Sequence, residues 1–137
     1  MKFLTKNLLA PKFLLFLAIV YTLLITIGSF ISPSALPKVG YSVSDKLIHL
    51  VAYFVFVLIW FIWMYYHFKK KKFRIVLFAT SCIAIIYGII IEILQDSLTK
   101  TREGDFLDIL ANVAGVLIAI IILVVLRPKL FALKNRN

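Results

Sequence analysis

Four long apolar runs, at about 13–31, 47–66, 73–94 and 106–126, restrict this chain more than any other feature. Each is long enough to cross a ~30 Å hydrocarbon layer as an α-helix rising ~1.5 Å per residue. Of the 137 residues, 63% are hydrophobic, against about 45–50% in a soluble domain. The excess gathers in the four runs and leaves little for a soluble domain. The expected fold is therefore all-α: one transmembrane domain over 1–137, a polytopic membrane protein built as a four-helix transmembrane bundle.

The first run follows Lys2, Lys6 and Lys12, as a signal peptide would. It extends over about 19 residues, however, and a signal h-region has only about 7–15. Its end, Gly28-Ser29-Phe30-Ile31-Ser32-Pro33, is a poor small-x-small cleavage site. It is expected to be a retained helix. The single cysteine, Cys82, lies inside the third run without acids or histidines within a turn, and is read as a small packing residue.

The net charge of +10 raises the question of nucleic acid. Its distribution points elsewhere. Twelve of the 16 basic residues fall in the amino terminus, the 2–3 connection (Lys69, Lys70, Lys71, Lys72, Arg74) and the tail (Arg127, Lys129, Lys134, Arg136). The 1–2 and 3–4 connections hold only Lys38, Lys46, Lys100 and Arg102. All six acids, Asp45, Glu92, Asp96, Glu103, Asp105 and Asp108, lie there or in the adjoining helix ends. This is the positive-inside bias, so both termini are expected in the cytoplasm, with the lysine-rich clusters against anionic lipid headgroups. Membrane lipids are the expected partners, and nucleic acid is not. Trp60, Trp63, Tyr65, Tyr66 and His67, just before the lysines, are expected to form an interfacial belt at the inner boundary.

The opposite ends of the helices are polar. Pro33, Pro37 and Gly40 break the 1–2 connection, and Ser44 or Asp45 is placed to cap the second helix. Asp45, His49 and Tyr53 then follow at steps of four on one face, with Lys46 beside it near the interface. The third helix carries a small-residue stripe, Thr80, Ala84 and Gly88, that leads to Glu92. The fourth carries Asp108, Ala111, Asn112, Gly115 and Ala119 on one face. Such stripes let helix backbones approach closely in lipid. If the two stripes meet, Glu92 comes level with Asp108 and Asn112. A carboxylate that deep needs a partner, and His49, Lys46 and Arg102 are the candidates.

Taken in order, Asp45-Lys46-x-x-His49-x-x-x-Tyr53, Glu92-x-x-Gln95 and Arg102-x-x-Asp105-x-x-Asp108-x-x-x-Asn112-x-x-Gly115 resemble the pattern of the VanZ-like membrane proteins. The resemblance spans most of the chain. It implies a small multi-helix protein of the bacterial inner membrane, in a family whose name-giving member is associated with resistance to the glycopeptide teicoplanin.

Three uses of the polar cluster stay open from sequence. It can bind an envelope lipid or a glycopeptide-related ligand at the outer leaflet, through Asp45, Lys46, His49, Tyr53, Glu92, Gln95, Arg102, Asp105, Asp108 and Asn112. It can belong to an enzyme acting on a phospholipid or polyprenyl-phosphate headgroup. Lys46 and Arg102 would then hold phosphate, and His49 with Glu92 or Asp108 would serve as acid and base. Or it can be a structural ion-pair network. His, Asp and Glu also suit a divalent cation, but no strict metal spacing is present, and neither a metal nor a cofactor is expected. Nothing in the sequence requires an oligomer. Transport needs a polar path through the midplane, which the uncharged inner halves of the helices do not offer.

Overall fold

The computed structural model describes residues 11–31, 44–68, 70–98 and 105–136, with side chains described to 134. It contains four helices: α1 (Pro11–Phe30), α2 (Asp45–His67), α3 (Phe73–Leu98) and α4 (Phe106–Arg136). Each is long and apolar enough to cross a membrane. A helix satisfies its backbone polar groups internally, as the hydrocarbon layer demands. The chain is an all-α, multi-pass membrane protein.

The helices extend past the apolar runs. α3 continues to Leu98, so Gln95 and Asp96 are helical. α4 continues to Arg136 through Pro128, which removes a backbone donor without ending the helix. Two cations hold this extension against the bundle: Arg127 lies 5.6 Å from the centre of the Phe73 ring and Lys134 lies 4.0 Å from that of Tyr65. At the start of α2, Ser44 takes the cap position, but its side chain makes no capping bond. Its carbonyl accepts from Leu47 N (2.9 Å) and Ile48 N (3.2 Å) instead.

Side-chain pairings give the directions. α2 and α3 are antiparallel, with Met64 beside Thr80 near one end and His49 beside Glu92 near the other. α2 and α4 are parallel, running from Lys46–Asp105 to Tyr65–Lys134. α1 is parallel to α3, through Thr26–Tyr87 and Ser29–Gln95. The four helices thus alternate in direction, and the ends containing Ser29, Asp45, Gln95 and Asp105 share one side.

α2 is the central helix and packs most extensively against α4. Gly115 explains the closeness of that pair: a Cβ there would lie 2.2 Å from the Leu50 carbonyl oxygen and 2.9 Å from Phe54 N. The α4 stripe is divided between two neighbours. Gly115 is turned to the α2 backbone, and Gly88 lies against Tyr53 of α2 and Asn112 of α4. The core between the helices holds Phe56, Val57, Phe61, Val76, Ala84, Val116, Ala119 and Leu123. Large apolar side chains such as Phe16, Phe78 and Val125 remain exposed, as lipid-facing residues do in a bundle whose solvent is hydrocarbon.

The aromatic residues at the His67 end of α2 divide between the bundle interior and its surface. Tyr65 and Tyr66 are buried, Tyr65 between Phe61 (5.4 Å) and Phe73 (5.6 Å), because their face of α2 is turned into the bundle. His67 is exposed and stacks on Trp63 at 5.2 Å. α1 buries little beyond Leu14 and Ala18, and polar ties hold it. Tyr21 donates to the Ala52 carbonyl (2.9 Å), Trp60 Nε1 donates to Thr22 Oγ1 (3.0 Å), and the Thr26 and Tyr87 hydroxyls share a hydrogen bond.

Candidate functional site

The polar residues converge at the shared helix ends. His49, Glu92, Asp108 and Asn112 are 6%, 3%, 7% and 2% exposed. Four polar side chains from three helices are therefore withdrawn together from both water and lipid. Buried ionisable groups are costly in a membrane, and their concentration at one end needs a chemical account.

His49 is the hub. Its Nδ1 lies 3.1 Å from Asn112 Oδ1 and 3.5 Å from Glu92 Oε1. Both neighbours are acceptors, so Nδ1 carries the hydrogen and donates to the Asn112 carbonyl oxygen. Nε2 is then the ring nitrogen turned away from Asn112. It faces Asp108 Oδ2 at 3.9 Å, beyond hydrogen-bond reach. Glu92 has partners besides His49. Asn112 Nδ2 is buried against Gly88 with no hydrogen-bond partner among the described residues. A Cβ at Gly88 would come within 3.2 Å of that nitrogen and 3.0 Å of Tyr53 Cε1.

Closer to the surface, Lys46 Nζ bridges two carboxylates, Asp105 Oδ2 at 2.7 Å and Asp108 Oδ1 at 3.2 Å. Asp105 also caps α4, its Oδ1 accepting from Leu107 N at 2.8 Å. The Lys46 ammonium first, and the Leu107 amide second, hold the Asp105 carboxyl below its ordinary range. Asp45 stands half-buried on the first turn of α2. One ligand atom each from Asp45, His49 and Asp108 lie within 4.8 Å of one another.

The structure thus brings together Asp45, Lys46, His49, Glu92, Asp105, Asp108 and Asn112. Tyr53 is on the same face of α2 but packs among Phe56 (6.0 Å) and Tyr87 (6.3 Å), forming an aromatic floor below the polar groups. Gln95 is buried and donates from Nε2 to the Ser29 carbonyl at 2.6 Å, tying α3 to the end of α1. Arg102 lies outside the described residues. Among the described residues Lys46 bridges two carboxylates and neutralises acids of the cluster. The Asp105-x-x-Asp108 spacing is the signal for this, since residues three apart on a helix face can share one lysine. Ser29 was not legible as a contact, because its carbonyl, not its side chain, accepts from Gln95.

Chemically, the cluster offers an oriented imidazole, a carboxylate opposite its Nε2 edge and a second acidic layer near the surface. No family model matches this chain, and neither do the curated proteins or the solved structures compared with it.

Proposed function

We propose that the chain is a VanZ-like protein of a bacterial inner membrane that binds the polar headgroup of an envelope lipid, or a glycopeptide-related ligand, at the outer leaflet. One observation carries this reading: His49 is buried with Nδ1 fixed by Asn112 while Nε2 is aimed at Asp108 Oδ2 at 3.9 Å, beyond hydrogen-bond distance. The Lys46–Asp105 pair already ties α2 to α4 at the surface, and a pin does not require an imidazole aimed at a second carboxylate below it.

The orientation follows the charge split. The lysine-rich segments are at the opposite ends of the helices, which the positive-inside bias assigns to the cytoplasm, so the polar site faces outward. In a Cys82→Ala background, an impermeant thiol reagent should label a cysteine at Ser34 or Lys100 and spare one at Lys71. Handling of a cell-wall lipid is the route by which the chain would affect glycopeptide tolerance.

Extraction of the full chain into native-lipid discs, followed by mass spectrometry, tests the binding. A defined lipid should be enriched with the wild type and lost with His49→Gln. Equal lipid content in the two would refute the reading.

The imidazole geometry also favours a second reading, an enzyme acting on a phospholipid or polyprenyl-phosphate headgroup. A histidine fixed at one nitrogen with its other nitrogen turned to a carboxylate is an arrangement suited to acid–base work. Incubation with labelled lipid vesicles distinguishes the two: an enzyme releases or transfers the headgroup, and a binding protein returns it unchanged.

A further inference from the structure

We propose that Asp45, His49 and Asp108 form a binding site for a first-row divalent transition cation. The ligand atoms are already gathered, with His49 Nε2 3.9 Å from Asp108 Oδ2 and all three within 4.8 Å of one another. Two ligands on one ion at ~2.0–2.2 Å each can be at most about 4.4 Å apart. The His49–Asp108 pair is inside that limit. Asp45, on the first turn of its helix, offers the third ligand atom within the same 4.8 Å.

The His49 ring is the second, independent observation. It is 6% exposed, its Nδ1 is occupied by Asn112 Oδ1, and its Nε2 makes no hydrogen bond to Asp108, the carboxylate it faces at 3.9 Å. Nε2 is therefore aimed at a carboxylate oxygen across a gap that a cation would span. The other side of the ring has the outer support common to metal-bound histidines: Nδ1–H faces the Asn112 carbonyl oxygen and the Glu92 carboxylate (3.5 Å), which fix the ring's orientation.

Lys46 does not occupy the site. It takes Asp108 Oδ1 and leaves Oδ2, the atom facing His49. Among the described residues the local charge is acidic, with Asp45, Glu92, Asp105 and Asp108 against Lys46. One imidazole with two carboxylates suits zinc, manganese or ferrous iron. Three protein ligands also leave open positions on the ion. An anionic headgroup could attach there; that extension rests on the proposed function, and the cation site does not.

The test uses the full chain in detergent, stripped with a chelator and titrated with Co²⁺ followed by visible absorption, then with Zn²⁺ in competition. Binding should saturate at about one ion per chain. His49→Gln and Asp108→Asn should each weaken it at least ~10-fold, and Asn112→Leu by ~10–100-fold through loss of the outer support. His67→Ala should leave it unchanged. Asp108→Asn preserves side-chain shape, so it decides the matter if His49→Gln fails to fold. Absence of saturable binding, equal binding by Asp108→Asn, or loss with His67→Ala would overturn the proposal. Lipid retention measured in the same preparations separates failure of the cation site from failure of the headgroup reading.

Discussion

Asn112 Oδ1 accepts a hydrogen bond from His49 Nδ1 at 3.1 Å, joining α2 to α4 where Gly115 has brought their backbones together. The bond selects one tautomer of the imidazole. In ¹⁵N NMR of histidine-labelled protein at neutral pH, His49 should appear with the hydrogen on Nδ1. In Asn112→Leu the acceptor closest to Nδ1 is gone, and the Nε2–H form should grow. A wild-type signal from the Nε2–H form would contradict the assigned geometry.

Gly115 and Gly28 make opposite predictions for the same substitution. A methyl at Gly115 meets the backbone of Leu50 and Phe54, neither of which can rotate away. Gly115→Ala should therefore destabilise at the upper end of the ~1–3 kcal/mol range for overpacking, or beyond it. Gly28 has nothing within 4 Å of the corresponding position, so Gly28→Ala should be neutral to about 1 kcal/mol stabilising through helix propensity. Thermal denaturation in detergent reads both.

α1 depends on polar ties because it buries few side chains. Thr22→Val removes the acceptor of Trp60 Nε1, and Tyr21→Phe removes the bond to the Ala52 carbonyl. Each should cost about 0.6 kcal/mol, with ~1.7 kcal/mol as the upper range for such bonds in lipid. Their combination should raise proteolysis or hydrogen exchange in α1 before the other helices respond.

The Lys46–Asp105 pair gives a pH dependence. Asp105 is held below its ordinary value of 3.8 by Lys46 and the Leu107 amide. The stabilisation is therefore complete above that pH and is lost as pH falls through the depressed folded value. Asp105→Asn should lower the melting temperature slightly at pH 7, and the difference from wild type should shrink on acidification below about pH 4. An equal difference at both pH values would show that the carboxylate charge is not involved.

The four spans were legible because hydropathy is a one-dimensional property and each crossing needs an uninterrupted apolar length. Their ends were less so. α3 continues through Gln95 and Asp96, and α4 through Pro128, because intrahelical bonding does not stop where apolar residues do. The Asp45–His49–Tyr53 face follows from a step of four, and the structure keeps it. Partners were harder to read. A small-residue stripe says that a helix approaches something closely, but not that Gly115 meets the α2 backbone. Charge alone made Lys46 a candidate for phosphate, and only the fold shows it bridging Asp105 and Asp108.

Whether the buried polar cluster serves a ligand or merely holds helices together is decided by comparing ligand retention with stability in His49→Gln, Glu92→Gln and Asp108→Asn. All three replace the side chain with a neutral amide of comparable size. Retention of the co-purified lipid should fall about tenfold or more, equivalent to ~1.4 kcal/mol, while melting temperatures stay within about 4 °C of wild type. Retention that falls only in step with melting temperature across the series would contradict a binding site and leave the cluster as a structural network.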